Sequence, residues 1–280
     1  MSRRPARRAL AAAASAAVGA YVGRSLGILR REREVLEGRR VRALGREAYV
    51  RVGGPAGAPP VVLVHGFVIS SAYMVPLAAR LARTCRVYAP DLPGFGRSEG
   101  PPEALDVDAL ADALLATLDA LGLARPAIVA NSMGCQVATS LAARHPDRVG
   151  RLVLAGPTVE AGTRTVWRQA VRILRAVPHE RPSLLLLHVR DWLRPGPRRI
   201  WRTLRAVLAD RIEDRLPRVA APTLVVRGGS DRLVSREWAQ SVAHLIPDSR
   251  FVELPGEGHA LNYSAAAELV AVVDPFLRET

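Results

Sequence analysis

Ala127-Ile128-Val129-Ala130-Asn131-Ser132-Met133-Gly134 is the stretch on which the fold turns. Ala127–Ala130 reads as a short strand buried on both faces, and the residues after Gly134 carry helical spacing to about His145. Asn131 and Ser132 therefore stand at a join between a strand and a helix. A turn that sharp pushes the serine side chain over the edge of a sheet, and the small residues at either end let strand and helix approach closely.

Working outward, the same alternation continues in both directions. Upstream, Val41–Leu44 and Ala48–Val52 read as an antiparallel opening pair, and Val61–Val64 as an unbroken apolar strand ending at His65-Gly66. A helical stretch at Met74–Arg83, a strand at Arg86–Ala89 and an amphipathic helix at Val107–Leu121 follow. Downstream come strands at Leu152–Ala155, Leu224–Val226 and Phe251–Leu254, with helices at Glu237–Leu245 and Ala265–Leu277. Continuous apolar strands separated by helices predict an α/β fold, with a mostly parallel central sheet covered by helices on both faces. At 280 residues and 49% hydrophobic content, the chain is long enough to bury such a core.

The alternation fails once. Residues 159–220 are Arg-rich, helical in character and interrupted by Pro178, Pro182, Pro195 and Pro197. A structureless loop of that length is rare in a compact domain, so the segment is expected to be an inserted helical cap. The predicted organisation is an N-terminal extension over 1–40, a core over 41–158 and 221–280, and a cap over 159–220.

All 40 basic residues are arginine, and the formal net charge is +14. The excess is uneven. Residues 1–51 hold 13 Arg against 4 acids, and residues 159–220 hold 14 against 6, whereas residues 52–158 balance at 8 and 8. No zinc-finger spacing or aromatic RNA-binding signature accompanies the charge, so a nucleic-acid partner is not expected. The alternative is an anionic membrane surface, met by the basic N-terminus and by Arg164, Arg168, Arg172 and Arg175, which are spaced as on one helical face. At the N-terminus, arginines flank an uncharged run from Ala9 to Gly23, short of the ~20 apolar residues that a membrane span needs. A cleaved export signal, a membrane-surface helix and a disordered extension all fit, and cytoplasmic, membrane-associated and exported locations stay open. Cys85 and Cys135 lack metal-ligand spacing and read as buried apolar residues.

Five segments in order carry the chemistry. They are His65-Gly66-Phe67; Asp91-Leu92-Pro93-Gly94-Phe95-Gly96-Arg97-Ser98; the Ser132 turn; Gly228-Gly229-Ser230-Asp231-Arg232; and Gly256-Glu257-Gly258-His259. Taken singly, Ser132 is also a helix N-cap, Asp231 a turn residue and His259 an ordinary loop histidine. Together, each following a predicted strand, they resemble a capped α/β-hydrolase-fold enzyme over residues 41–280. The chain order Ser132, Asp231, His259 is the order of that fold.

The resemblance implies Ser132 as nucleophile, His259 as general base and acid, and Asp231 as the residue that orients the imidazole. It implies backbone N–H groups of Phe67 and Met133 as oxyanion donors, and no metal or organic cofactor. Serine at the nucleophile position argues against the epoxide-hydrolase and haloalkane-dehalogenase branches, where an aspartate is expected. Ala130 departs from the glycine usual at that place, and Ala260 from the tryptophan often found after the histidine in ring-cleavage C–C hydrolases. The expected activity is hydrolysis of a carboxylic ester, with lipidic substrates included. C–C or thioester cleavage by the same residues, and a non-catalytic member that binds a small ligand, are the alternatives. Glu160 is a second candidate acid, Asp91 is expected to brace the glycine-rich loop, and His65, His179 and His188 are expected to be structural.

Overall fold

The computed structural model describes residues 35–279, so the extension up to residue 34 lies outside the described residues. Eight strands form one sheet: β1 (Leu36–Ala43), β2 (Arg46–Gly53), β3 (Pro60–Val64), β4 (Arg86–Pro90), β5 (Ala127–Asn131), β6 (Leu152–Ala155), β7 (Thr223–Gly228) and β8 (Ser249–Leu254). Their spatial order is β1-β2-β4-β3-β5-β6-β7-β8. β1 and β2 join antiparallel at one edge, and every pair from β4–β3 to β7–β8 is parallel. β1 pairs from Leu36 opposite Gly53, so strand structure begins inside the stretch expected to be extension.

Strand residues point alternately to opposite faces, and here both faces are buried. Val62, Val64, Ile128, Ala130, Leu152 and Leu154 enter one core, while Val61, Leu63, Val129 and Val153 enter the other. Helix α1 (Val75–Leu81), preceded by a 3-10 turn at Ser71–Met74, packs on the second core through Leu77 and Leu81. Helices α2 (Val107–Ala120) and α3 (Met133–Arg144) pack on the first, Leu110, Leu114 and Leu118 meeting Val137 and Leu141. Asp106 caps α2 by accepting from the Ala109 N–H at 2.8 Å.

Between β6 and β7 every regular element is helical: α4 (Val166–Ala176), α5 (Pro182–Trp192) and α6 (Gly196–Ala209), with 3-10 turns at Val177–His179, Ile212–Asp214 and Leu216–Arg218. The prolines do not break these elements; Pro182 opens α5, and Pro195 and Pro197 flank the start of α6. Proline's fixed φ and missing N–H suit a first helical turn. Then follow α7 (Arg236–Leu245), the short α8 (Leu261–Ser264) and α9 (Ala266–Arg278). The chain leaves β3 toward β4 on one side and returns to β5 on the other. That reversal opens a crevice at the carboxyl ends of β3 and β5, where ligands bind in open α/β sheets.

Candidate active site

Ser132 lies in that crevice. It is half-buried, and its backbone stands at φ 57° and ψ −125°, outside the regions that L-residues favour. Such a conformation costs on the order of 1–3 kcal/mol and persists only where its surroundings enforce it. Here the Ser132 N–H donates to the Ala155 carbonyl at 3.1 Å, pinning the turn to β6. Gly134 passes so close to β3 that a Cβ would stand 2.5 Å from the Val64 carbonyl oxygen. Ala130, fully buried, fits beneath the turn in place of the usual glycine.

Asp231 follows β7 and His259 follows β8, and the structure brings them together. His259 Nδ1 lies 2.8 Å from Asp231 Oδ2. The other carboxylate oxygen, Oδ1, accepts from the backbone N–H groups of Leu233 at 2.7 Å and Val234 at 3.1 Å. Both residues are buried. Burial alone would raise the Asp231 pKa, but the imidazole and the two N–H groups outweigh it and hold the carboxyl below its ordinary value. Burial likewise works to lower His259. The charge and hydrogen bond of Asp231, with a contribution from Glu180, overcome this and raise its pKa above 6.5. His259 Nε2 is buried and has no hydrogen-bond partner among the described residues, so Ser132 and His259 are not hydrogen-bonded in this state.

Three residues to which the sequence assigns no role of their own hold this arrangement. Gly156 sits at φ 58°, and a Cβ there would lie 3.0 Å from both His259 Nδ1 and Cε1 and 3.4 Å from Asp231 Oδ2. Asn131 donates to the Ala155 carbonyl at 3.0 Å and to the His259 carbonyl at 3.2 Å, tying the histidine loop to the residue before Ser132. Tyr73 donates to Asn131 Oδ1 at 2.9 Å. Their polar or small character is visible in the sequence, but nothing in their local context marks the neighbours they meet.

The loop after β3 runs against the Ser132 turn. A Cβ on Gly66 would lie 3.2 Å from Ser132 Cβ. Phe67 follows, half-buried against the first core, and Val68 takes φ 47°, a strained value for a β-branched residue. Met133 opens α3, next to Ser132. Phe67 thus follows the residue that touches the Ser132 turn, and Met133 follows Ser132 itself.

His65 is structural, as expected. It is buried, Nε2 accepts from the Leu92 N–H at 2.9 Å, and Nδ1 contacts the Gly66 carbonyl at 2.9 Å. Burial pushes its pKa below the ordinary value. Asp91 braces the glycine-rich loop by accepting from the N–H groups of Ser71 and Arg97 at 2.6 and 2.8 Å. Glu160 pairs with Arg172 instead of the histidine. His188 is bonded through Nδ1 to the Leu184 carbonyl at 3.0 Å, and the His179 side chain lies outside the described residues. Both cysteines are free and buried, and burial pushes the Cys135 thiol pKa up.

The predicted arginine stripe is only partly a free cationic face, since Arg164 lies before α4 and, of the four, Arg175 is exposed without a hydrogen-bond or carboxylate partner among the described residues. Arg164 pairs with Glu213, Arg168 donates to the Gly162 carbonyl, and Arg172 reaches Glu160 and the Leu233 carbonyl. Spacing predicted a common face, but these long side chains reach back to partners in neighbouring loops.

Comparison with known proteins agrees with this architecture. The model of the alpha/beta hydrolase family matches residues 61–272. The 2-hydroxymuconate semialdehyde hydrolase of Pseudomonas putida is 31% identical over 246 residues, spanning 79% of this chain and 87% of that protein. The enol-lactonase from Burkholderia xenovorans LB400 superposes with a TM-score of 0.74 at 26% identity, covering 86% of this chain and 100% of the other. A hydrolase from Pseudomonas aeruginosa PA01 does so at 0.73 and 25% identity, covering 87% and 98%. The sheet order, the extent of the family match and an identity spread over most of two chains make this protein a member of the alpha/beta hydrolase family.

Proposed function

We propose that this hydrolase cleaves carboxylic esters through Ser132, His259 and Asp231, by way of an acyl-enzyme. The observation that carries the reading is the buried Asp231–His259 pair, with Nε2 left unpartnered and the histidine loop tied by Asn131 to the Ser132 turn. Catalytic hydrogen bonds are often long in ligand-free enzymes and tighten when substrate binds. Ser132 Oγ attacks the ester carbonyl carbon while Nε2 takes its proton. Negative charge moves to the carbonyl oxygen, where the N–H groups of Phe67 and Met133 receive it, each donor supporting about 10²–10³-fold in rate. Collapse expels the alcohol, protonated from Nε2, and leaves the acyl group on Ser132. Water then attacks that ester with His259 again as base. Asp231 keeps the proton on Nδ1 and stabilises the imidazolium.

The likeness to an enol-lactonase supports an ester bond. A second reading, C–C bond hydrolysis of a ring-cleavage dienoate by the same residues, is favoured by the 31% identity to the 2-hydroxymuconate semialdehyde hydrolase. Hydrolysis of p-nitrophenyl esters of graded chain length beside such a dienoate decides between them. The ester reading expects turnover of esters that Ser132→Ala abolishes. Turnover confined to the dienoate selects the second reading, and no turnover of either would leave a ligand-binding protein.

A further inference from the structure

The helical insertion presents an apolar outer surface. Eleven of the fourteen large hydrophobic residues exposed among the described residues lie between Val166 and Trp201. Helix α5 shows how this arises. Its inner side buries Ser183, Leu184, Leu187 and Asp191: Leu184 and Leu187 join the core around Leu261 and Tyr263, and Asp191 accepts from Ser70 Oγ at 2.6 Å. Its outer side should then be polar, as on an ordinary surface helix. Instead Leu185, Leu186, Val189, Trp192 and Leu193 are exposed, Leu193 to 81%. On α4, Trp167 and Leu174, seven residues apart, are 75% and 70% exposed. Scattered exposed apolar residues are normal, but such a concentration in one inserted segment marks an interaction surface.

Charge indicates what covers it. All six acids of the insertion are engaged within the protein: Glu160, Glu213, Asp210 and Asp214 with arginines, Asp191 with Ser70 and Arg190, and Glu180 with the Ala260 N–H. Arg175, Arg198 and Arg205 are exposed without a carboxylate partner among the described residues. Arg198, Trp201 and Arg205 lie at i, i+3 and i+7 on α6, so one helical side offers an indole between two guanidiniums. A second copy would bring the same uncompensated positive charge against itself.

We propose that the outer face of this insertion docks on an anionic lipid bilayer, with its apolar side chains and indoles in the interface and its free arginines on lipid phosphates. No described helix is long and apolar enough to cross a membrane, and docking at the surface requires none. Because the inner face of α5 packs against the helix that follows His259, a docked insertion stands between bilayer and site. Acyl esters held in the membrane are then the substrate class it favours. The docking itself does not depend on which bond is cleaved.

The full-length chain reports docking through its own tryptophans. Trp167, Trp192 and Trp201 are exposed on the insertion, whereas Trp238 is buried in the first core. Brominated phosphatidylglycerol vesicles should blue-shift and quench the emission, and brominated phosphatidylcholine vesicles should do so far less. Leu186→Glu with Leu193→Glu should weaken partition about tenfold or more for each side chain kept out of the interface. Turnover of a soluble short-chain ester by that variant should be unchanged. Arg198→Glu with Arg205→Glu should erase the preference for anionic vesicles. Unquenched tryptophans, or quenching that neither variant alters, would overturn the proposal. So would self-association in sedimentation that the leucine substitutions abolish without any vesicle quenching. Quenching is read without turnover, so failure of docking and failure of the ester reading are separable.

Discussion

Gly156 closes on the Asp231–His259 pair from the end of β6. At its φ of 58° a side chain is strained, and a Cβ would press on the imidazole at 3.0 Å, so the ring would have to give by a few tenths of an ångström. Gly156→Ala should cost ~1–2 kcal/mol of stability from the backbone alone. By turning the ring off Asp231 it should also lower kcat/KM by ~10²-fold. Chemical denaturation and ester kinetics on one preparation test both effects. The raised pKa of His259 sets the acid limb of activity, because the base must be unprotonated. With pKa above 6.5, kcat/KM should fall as pH drops through a value above 6.5. Asp231→Asn removes the carboxylate charge that raises this pKa, so the limb should move to lower pH while kcat falls by ~10⁴-fold. A limb that stays in place in the variant would mean that another group titrates. At this scale the sequence is informative where chemistry is local: glycine-rich turns after strands place Asp231 and His259 at the ends of adjacent strands. Gly156, Asn131 and Tyr73 act through partners 20 to 130 residues away in the chain, which no local pattern encodes.

Among the elements, the helical insertion is tied to the site as well as set above the sheet. Glu180, between α4 and α5, accepts from the Ala260 N–H at 2.9 Å and from Ser264 Oγ at 2.8 Å, holding the turn that follows His259. Its negative charge also raises the His259 pKa. Glu180→Gln keeps an acceptor and removes the charge, so the acid limb of kcat/KM should move to lower pH with kcat largely retained. An unmoved limb with a lowered melting temperature would reduce Glu180 to a structural tie. The helical nature of residues 159–220 was legible from spacing; of the prolines expected to interrupt it, Pro182, Pro195 and Pro197 stand at helix starts, while Pro178 lies in the 3-10 turn between α4 and α5. Which way its arginines turn was not legible. Periodicity gives the face of a helix, whereas Arg164 lies before α4 begins and pairs with Glu213, and Arg172 is long enough to leave that face for Glu160.

For the molecule as a whole, alternation of apolar strands with helices was enough to predict a parallel sheet covered on both sides. Strand order was not, because every interior strand is equally apolar, and only the packing of β3 between β4 and β5 creates the crevice. The first strand also begins well before the expected Val41. Leu36–Arg40 is mostly polar and exposed, as suits an edge strand paired on one side, and it shows no apolar run to a reader of the sequence. Activation of Ser132 in that crevice is open to direct measurement. A fluorophosphonate probe, followed by peptide mapping, should place a single adduct on Ser132, with labelling faster above the pKa of His259 and absent from a folded Ser132→Ala variant. Equal labelling of that variant, or an adduct on any other residue, would contradict it.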